Sequence, residues 1–288
     1  MASNMTQRVL FALVAIPLVL LLLWQGGVAL VLLVCVAAAL GTRELLEFAR
    51  HQGVRPFFTL AISAAALLPA LAWAAVSAPA MASRLEGWWT WGAMLWLILV
   101  LVVTLWRRSS QQKPLGAAAV TLFAPLYTGG LPAFLIPMRH GTYGTRSVAG
   151  VALVLFPMAT VWICDSVAMA IGRRIGGARL APSVSPGKTW SGTIAGFLAA
   201  LLLAPIYTVL VFKPLHVDVS PWEALAMGAV IGVMGQVGDL AESLFKREAG
   251  LKDSSRLIPG HGGVLDRLDS LYFAIPLAAL LYRAFGTI

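Results

Sequence analysis

VLFPMATVWICDSVAMAIGRR, residues Val154 to Arg174, is apolar enough for a membrane interior yet holds one aspartate near its middle. From Val154 to Gly172 the only charge is Asp165, and Arg173-Arg174 close the run. A helix crossing the hydrocarbon core of a bilayer takes about 20 such residues. The stretch therefore reads as a spanning helix that carries a carboxylate. Runs of the same kind recur along the chain, near 8–24, 27–42, 57–79, 88–106, 115–138, 149–171, 191–212, 223–245 and 271–286, and give nine spans. The expected fold is all-α, a polytopic membrane protein. The fifth run contains Pro125, Gly129, Gly130, Pro132 and Pro137, which predicts a kinked or broken helix, since proline removes a helix hydrogen bond. Arg43 to Arg50 continues the second helix with mixed charge, as expected of a segment lying along the membrane surface.

Composition agrees. Of 288 residues 59% are hydrophobic and 11% charged, where a soluble domain carries about 25% charged residues. No stretch leaves room for a separate soluble domain of about 100 residues. The chain 1–288 reads as one transmembrane domain. Residues 1–145 would serve mainly packing and lipid access, and 146–288 would be catalytic. Met1 to Arg8 followed by the run Val9–Trp24 resembles a signal peptide, but a second run follows almost at once, so it is expected to remain as the first span. Cys35 and Cys164 both lie in apolar runs and read as small buried side chains. Net charge is +9, with no basic arm interleaved with aromatics, so nucleic acid is excluded as a partner. With nine spans, 16 of the 21 Lys and Arg fall on the N-terminal side and 5 on the other. The positive-inside rule then puts the N-terminus in the cytoplasm and the C-terminus outside. The two richest loops, 172–190 and 246–270, share the cytoplasmic face.

Six of the twelve acidic residues fall between Asp239 and Asp269. A solvated loop is the plain reading of such a cluster, and three features oppose it. Asp239 lies inside the apolar run GAVIGVMGQVGDLAESLF, where an ionisable residue is costly and marks a functional site. Glu242 and Ser243 follow three and four residues later, on the same helix face. Asp266 and Asp269 have the same spacing before the last span, and clustered carboxylate oxygens suit a hard cation such as Mg²⁺. Gly260, Gly262 and Gly263 around His261 would let backbone amides approach an anion. Together these describe a site for metal-bound phosphate. SVSPGKTWSG, Ser183 to Gly192, delivers Lys188 and Thr189 to a helix start. That turn is either an anion site or a basic helix cap, and it lacks Walker A spacing. Asp165 either packs between helices or meets a cofactor, a substrate or a basic loop residue.

The motif S-x-x-K-R-x₄-K-D-x-S-x₃-P-x-H-G-G-x₂-D-R-x-D, from Ser243 to Asp269, resembles the signature of the phosphatidate cytidylyltransferases, or CDP-diacylglycerol synthases. The resemblance extends to Asp165 with Gly172-Arg173, to Ser185–Trp190 and to Gly238–Ser243. It departs at Ser191, where many members have glutamate. It implies transfer of a cytidylyl group from CTP or dCTP to phosphatidic acid with release of pyrophosphate, at the cytoplasmic face of the inner membrane. It implies Mg²⁺ on Asp239, Asp266 and Asp269, with Glu242 as a further carboxylate and a second cation as an open alternative. It further implies phosphate contacts from Lys188, Lys246, Arg247, Lys252 and Arg267, orientation of a phosphate or leaving group by His261, and substrate contacts at Ser185, Thr189, Ser243 and Asp165. A homodimer is also suggested. A transporter would instead gather its polar residues at the bilayer midplane and repeat them in both halves. Other CTP-dependent membrane transferases should lack the full motif, and a structural scaffold would leave the charge cluster unexplained.

Overall fold

The computed structural model describes residues 4–84, 87–258, 260 and 262–288. In chain order the helices are α1 (Asn4–Gln25), α2 (Gly27–His51), α3 (Phe58–Ser77), α4 (Pro79–Arg84), α5 (Trp88–Arg107), α6 (Pro114–Pro125), α7 (Leu131–Ala133), α8 (Leu135–His140) and α9 (Val148–Ile175). A hairpin of β1 (Arg179–Ala181) and β2 (Ser185–Thr189) follows, then α10 (Trp190–Tyr207), α11 (Pro221–Glu248), α12 (Leu265–Leu268) and α13 (Leu271–Ala284). Among the described residues seven helices are long and apolar enough to cross a membrane. Their outward faces are those of a lipid-solvated protein: Leu105 and Trp106 are 76% and 80% exposed, Leu202 and Leu210 67% and 69%. Apolar surface on this scale is not left to water. The molecule is a multi-pass membrane protein.

Each expected span has a helix. The fifth is broken as its prolines require: α6 ends at Pro125, a π-helical turn occupies Leu126–Gly130, and α7 and α8 follow. The last begins early, because Asp269 and Ser270 keep helical backbone angles between α12 and α13. The two short helices thus form a nearly continuous rod of about 30 Å at 1.5 Å per residue. Local signals set the starts. Ser220 accepts the Glu223 amide (3.3 Å) while Glu223 accepts the Ser220 amide (2.7 Å), with Pro221 opening α11. Ser147 and Thr189 cap α9 and α10 through their side-chain oxygens.

The helical fold carries one small antiparallel hairpin between α9 and α10, which pairs Arg179 with Thr189 and Ala181 with Ser185. One expectation changes. The mixed-charge end of α2 does not lie on a membrane surface. It buries Glu44, Leu45, Leu46 and Phe48 against protein, because Leu45, Leu46 and Phe48 join Tyr127, Leu265 and Tyr272 in one apolar cluster. A larger cluster joins α9, α11 and α13 through Phe156, Val161, Met227, Ile231, Ala274 and Tyr282.

Candidate active site

Asp165 sits ten residues before the end of α9, and Asp239 nine before the end of α11. Both helices deliver a carboxylate to the same end of the bundle. There the hairpin and the α12–α13 turn meet them, and a cavity of about 490 Å³ opens between. α9 lines it with Trp162, Asp165, Met169 and Arg173, and β2 with Ser185, Lys188 and Thr189. Gln236 and Asp239 of α11 face Asp266, Arg267 and Asp269 across it. Trp162 and Met169 are about half exposed on the lipid-facing side of α9, so the cavity has an apolar flank as well as a charged floor.

α11 comes against the α12–α13 turn at Gly238. A Cβ there would lie 2.7 Å from the Asp269 carbonyl oxygen and 3.2 Å from Ser270 Cα. Only glycine lets α11 come this near the turn, and the residue beside it is Asp239. Asp239 accepts from Lys188 Nζ at 2.8 Å through one oxygen and from Ser243 Oγ at 3.2 Å through the other. Lys188 Nζ also reaches the Gln236 carbonyl oxygen at 3.4 Å.

Asp269 has no Lys, Arg or His nitrogen within 4.0 Å among the described residues. Its nearest donor is the Ser270 amide, at 2.6 Å from Oδ1. Asp266 is the opposite case. It accepts from the Gly263 amide (2.9 Å), Lys246 Nζ (2.8 Å) and the Ser254 hydroxyl (2.7 Å) and amide (2.8 Å).

The structure brings eight of the expected residues together. Asp165, Ser185, Lys188, Thr189, Asp239, Asp266, Arg267 and Asp269 all line the cavity. Others are redirected. Asp239, Asp266 and Asp269 do not form one metal-sized cluster, since no three His, Cys, Asp or Glu side chains do among the described residues. Glu242 is fully buried and pairs at 2.5 Å with Lys246, which also holds Asp266. Lys246 thus bridges two carboxylates. Arg247 ties the Val184 carbonyl oxygen (3.1 Å) to that of Leu251 (2.9 Å), bracing the hairpin from outside the cavity. Lys252 is exposed and away from the lining residues. The Gly263 amide donates to Asp266. His261 lies outside the described residues. Ser191 donates to the Gly176 carbonyl oxygen at 2.5 Å, fastening α10 to the start of the hairpin.

Arg173 was missed as a candidate phosphate ligand. It follows Asp165 by eight residues, about two helical turns, so helix spacing alone could have placed both on the cavity wall. Gln236 was missed too, and its clue was an amide three residues before Asp239 in an apolar helix.

A chain of membrane helices that brings carboxylates and cations together beside a lipid-facing flank is built for chemistry on phosphates at a membrane boundary. Residues 6–285 match the family model described as cytidylyltransferase family. The chain is 34% identical over 286 residues to a phosphatidate cytidylyltransferase of Brucella abortus (strain 2308), covering 99% of this chain and 94% of that one. It is 34% identical over 284 residues to one of Staphylococcus epidermidis (strain ATCC 12228 / FDA PCI 1200), covering 96% and 98%. With one of Haemophilus influenzae the identity is 37% over 195 residues, 68% of this chain and 65% of that one. This chain belongs to the cytidylyltransferase family and is a nucleotidyltransferase.

Proposed function

We propose that the chain transfers the cytidylyl group of CTP or dCTP to phosphatidic acid, forming CDP-diacylglycerol and pyrophosphate at the cytoplasmic face of the bacterial inner membrane. Adding α1 and the last helix to the seven long ones would make nine spans, and the excess of Lys and Arg on one side supports a cytoplasmic N-terminus with the cavity at that face. The observation that carries the reading is one cavity that joins a charged floor to an apolar, lipid-exposed flank. A soluble nucleotide reaches the floor and a diacyl tail can lie along Trp162 and Met169.

A phosphate oxygen of the lipid attacks the α-phosphorus of the nucleotide, and the bond to the β-phosphate breaks with its electron pair leaving on pyrophosphate. The nucleophile is already anionic, so no strong base is needed. The barrier is charge repulsion, and fixed cations lower it. Lys188, Arg173 and Arg267 hold phosphate oxygens here. Asp239 and Asp269 would hold a divalent cation, Mg²⁺. The donor set fits, because Asp239 is held only by the half-buried Lys188 and by Ser243, and Asp269 has no cation within 4.0 Å among the described residues. Such ions are often bound through one or two carboxylates with waters and substrate phosphates completing the shell. When bound, the ion supplies charge neutralisation on the triphosphate. Asp266 keeps α12 in place through Lys246, Ser254 and Gly263.

Purified protein given Mg²⁺, phosphatidic acid vesicles and radiolabelled CTP should yield a labelled liponucleotide. No product across divalent metals would refute the activity. Full activity of Asp269→Asn would refute the metal assignment alone.

A further inference from the structure

Glu44 is far from the motif in sequence and close to it in space. It lies on α2 with only 5% of its surface exposed, and no Lys, Arg or His nitrogen comes within 4.0 Å of it among the described residues. A buried carboxylate without a cation is costly unless donors satisfy it. Here they do. Oε1 accepts from Ser255 Oγ at 2.6 Å and the Val264 amide at 3.1 Å. Oε2 accepts from the Leu265 amide at 2.8 Å and lies 3.1 Å from Ser254 Oγ. Every one of these donors is at least 210 positions away in the chain.

The donors are not scattered. Ser254 and Ser255 stand where the segment after α11 begins, and Val264 and Leu265 where it ends at α12. One carboxylate therefore holds both ends of that segment. Ser254 links it onward to Asp266 at 2.7 Å, so Glu44 and Asp266 clamp the same hydroxyl from two sides. The fit leaves no slack at Gly263, where a Cβ would fall 2.4 Å from Glu44 Oε1. Leu265 packs into the apolar cluster of Leu45, Leu46 and Phe48 on the same helix, which holds α12 and α2 together around the polar contact. The residues that follow at once are Asp266, Arg267 and Asp269.

We propose that Glu44 is a positioning residue for the reaction: it fixes the two ends of the 254–265 segment, and so sets where Asp266, Arg267 and Asp269 stand in the cavity. The inference rests on the reading of that cavity as the catalytic site. It gives the N-terminal helices a part in catalysis beyond packing. α2 can serve as the fixed point because it is anchored at the same depth by the hydrogen bond between Thr42 and Thr128 at 2.5 Å.

The test is Glu44→Gln in the full-length protein. It keeps the shape but turns an amide N–H toward the backbone donors. Turnover should fall about 10–100-fold, the range seen when groups behind a metal site are altered, and the Mg²⁺ concentration for half-maximal rate should rise. Hydrogen exchange should quicken in 253–268 while α9 and α10 keep wild-type protection. Ser255→Ala, which removes one donor and is far milder, should move both readouts the same way by less, and add little on top of Glu44→Gln. If Glu44→Gln does not fold, Ser255→Ala decides by itself. Wild-type exchange in 253–268 with wild-type Mg²⁺ dependence would overturn the proposal, as would exchange that rises evenly along the chain. Asp269→Asn run in parallel separates the two readings. It should lose Mg²⁺-dependent turnover with wild-type exchange at 253–258, and its failure to do so would count against the cavity assignment, since the exchange readout for Glu44 needs no activity.

Discussion

Gly238→Ala adds one methyl group at the point where α11 meets the α12–α13 turn. The new Cβ would lie 2.7 Å from the Asp269 carbonyl oxygen, 3.0 Å from the Phe273 ring and 3.2 Å from Ser270 Cα. Two of these are backbone atoms, which have no rotamer to change. Reaching an ordinary contact near 3.4 Å requires α11 and the turn to part by about 0.7 Å, and a shift of about 1 Å among reacting groups can cost about 100-fold. Since Asp239 rides on one side of the gap and Asp269 on the other, kcat should fall about 10–100-fold. The overpacking cost is about 1–3 kcal/mol. Replacing a mid-helix glycine returns about 0.5–1 kcal/mol, so the variant should still fold. Gly92→Ala on α5 is the control, with nothing within 4 Å of its added methyl, and it should match or slightly exceed wild type in both stability and rate. The measurement is labelled liponucleotide formation beside a thermal melt in detergent. A Gly238→Ala enzyme with kcat within twofold of wild type would refute the claim that this contact sets the spacing of the two carboxylates.

Lys188→Met should lower kcat/KM by about 10²–10³-fold, the usual cost of removing one charge-stabilising donor, and a loss below threefold would remove Lys188 from the phosphate site. Arg139→Met tests the other end of the bundle, where the buried guanidinium donates to the carbonyl oxygens of Leu23 (2.8 Å), Trp24 (3.0 Å) and Gly144 (2.9 Å). Stability should drop on the order of 3 kcal/mol, as charged donors leave buried carbonyls unpaired, while turnover per folded molecule stays the same.

Helical runs and their breaks were legible because each depends on neighbours in sequence. Apolar length marks a span, and the prolines from 125 to 137 mark the broken fifth helix. The cavity residues Asp239, Asp266 and Asp269 were legible as charges in apolar company. What those charges touch was not. Lys246 and Lys188 look alike in the sequence, yet one is locked between Glu242 and Asp266 and the other faces the cavity. The difference lies in where each stands, Lys246 on the face of α11 turned to Asp266 and Lys188 on the hairpin strand β2. Glu44 was hidden for the same reason. In Arg43-Glu44-Leu45-Leu46-Glu47 it reads as one charge of a surface helix, and only contacts with Ser254, Ser255, Val264 and Leu265 give it another role.

The distribution of cations around the cavity explains why the site tolerates its own cost. Like charges buried together destabilise a fold, and a lysine on α13 could in principle neutralise Asp269. The chain instead leaves Asp269 without a cation within 4.0 Å among the described residues and rests Lys188 on Asp239. Had every carboxylate a permanent partner, as Asp266 has in Lys246, the cavity would be more stable and would offer a metal-bound triphosphate nothing to gain. With Lys188 on the hairpin and Asp239 on α11, the two can part, each toward an opposite charge brought in by the substrate. The pair is half-buried, 21% and 28% exposed at the side chains, so separating it costs far less than breaking the buried Lys246 bridge. Asp266 is held fast by Lys246, whereas Asp239 is held by a lysine that can leave and Asp269 by no cation among the described residues.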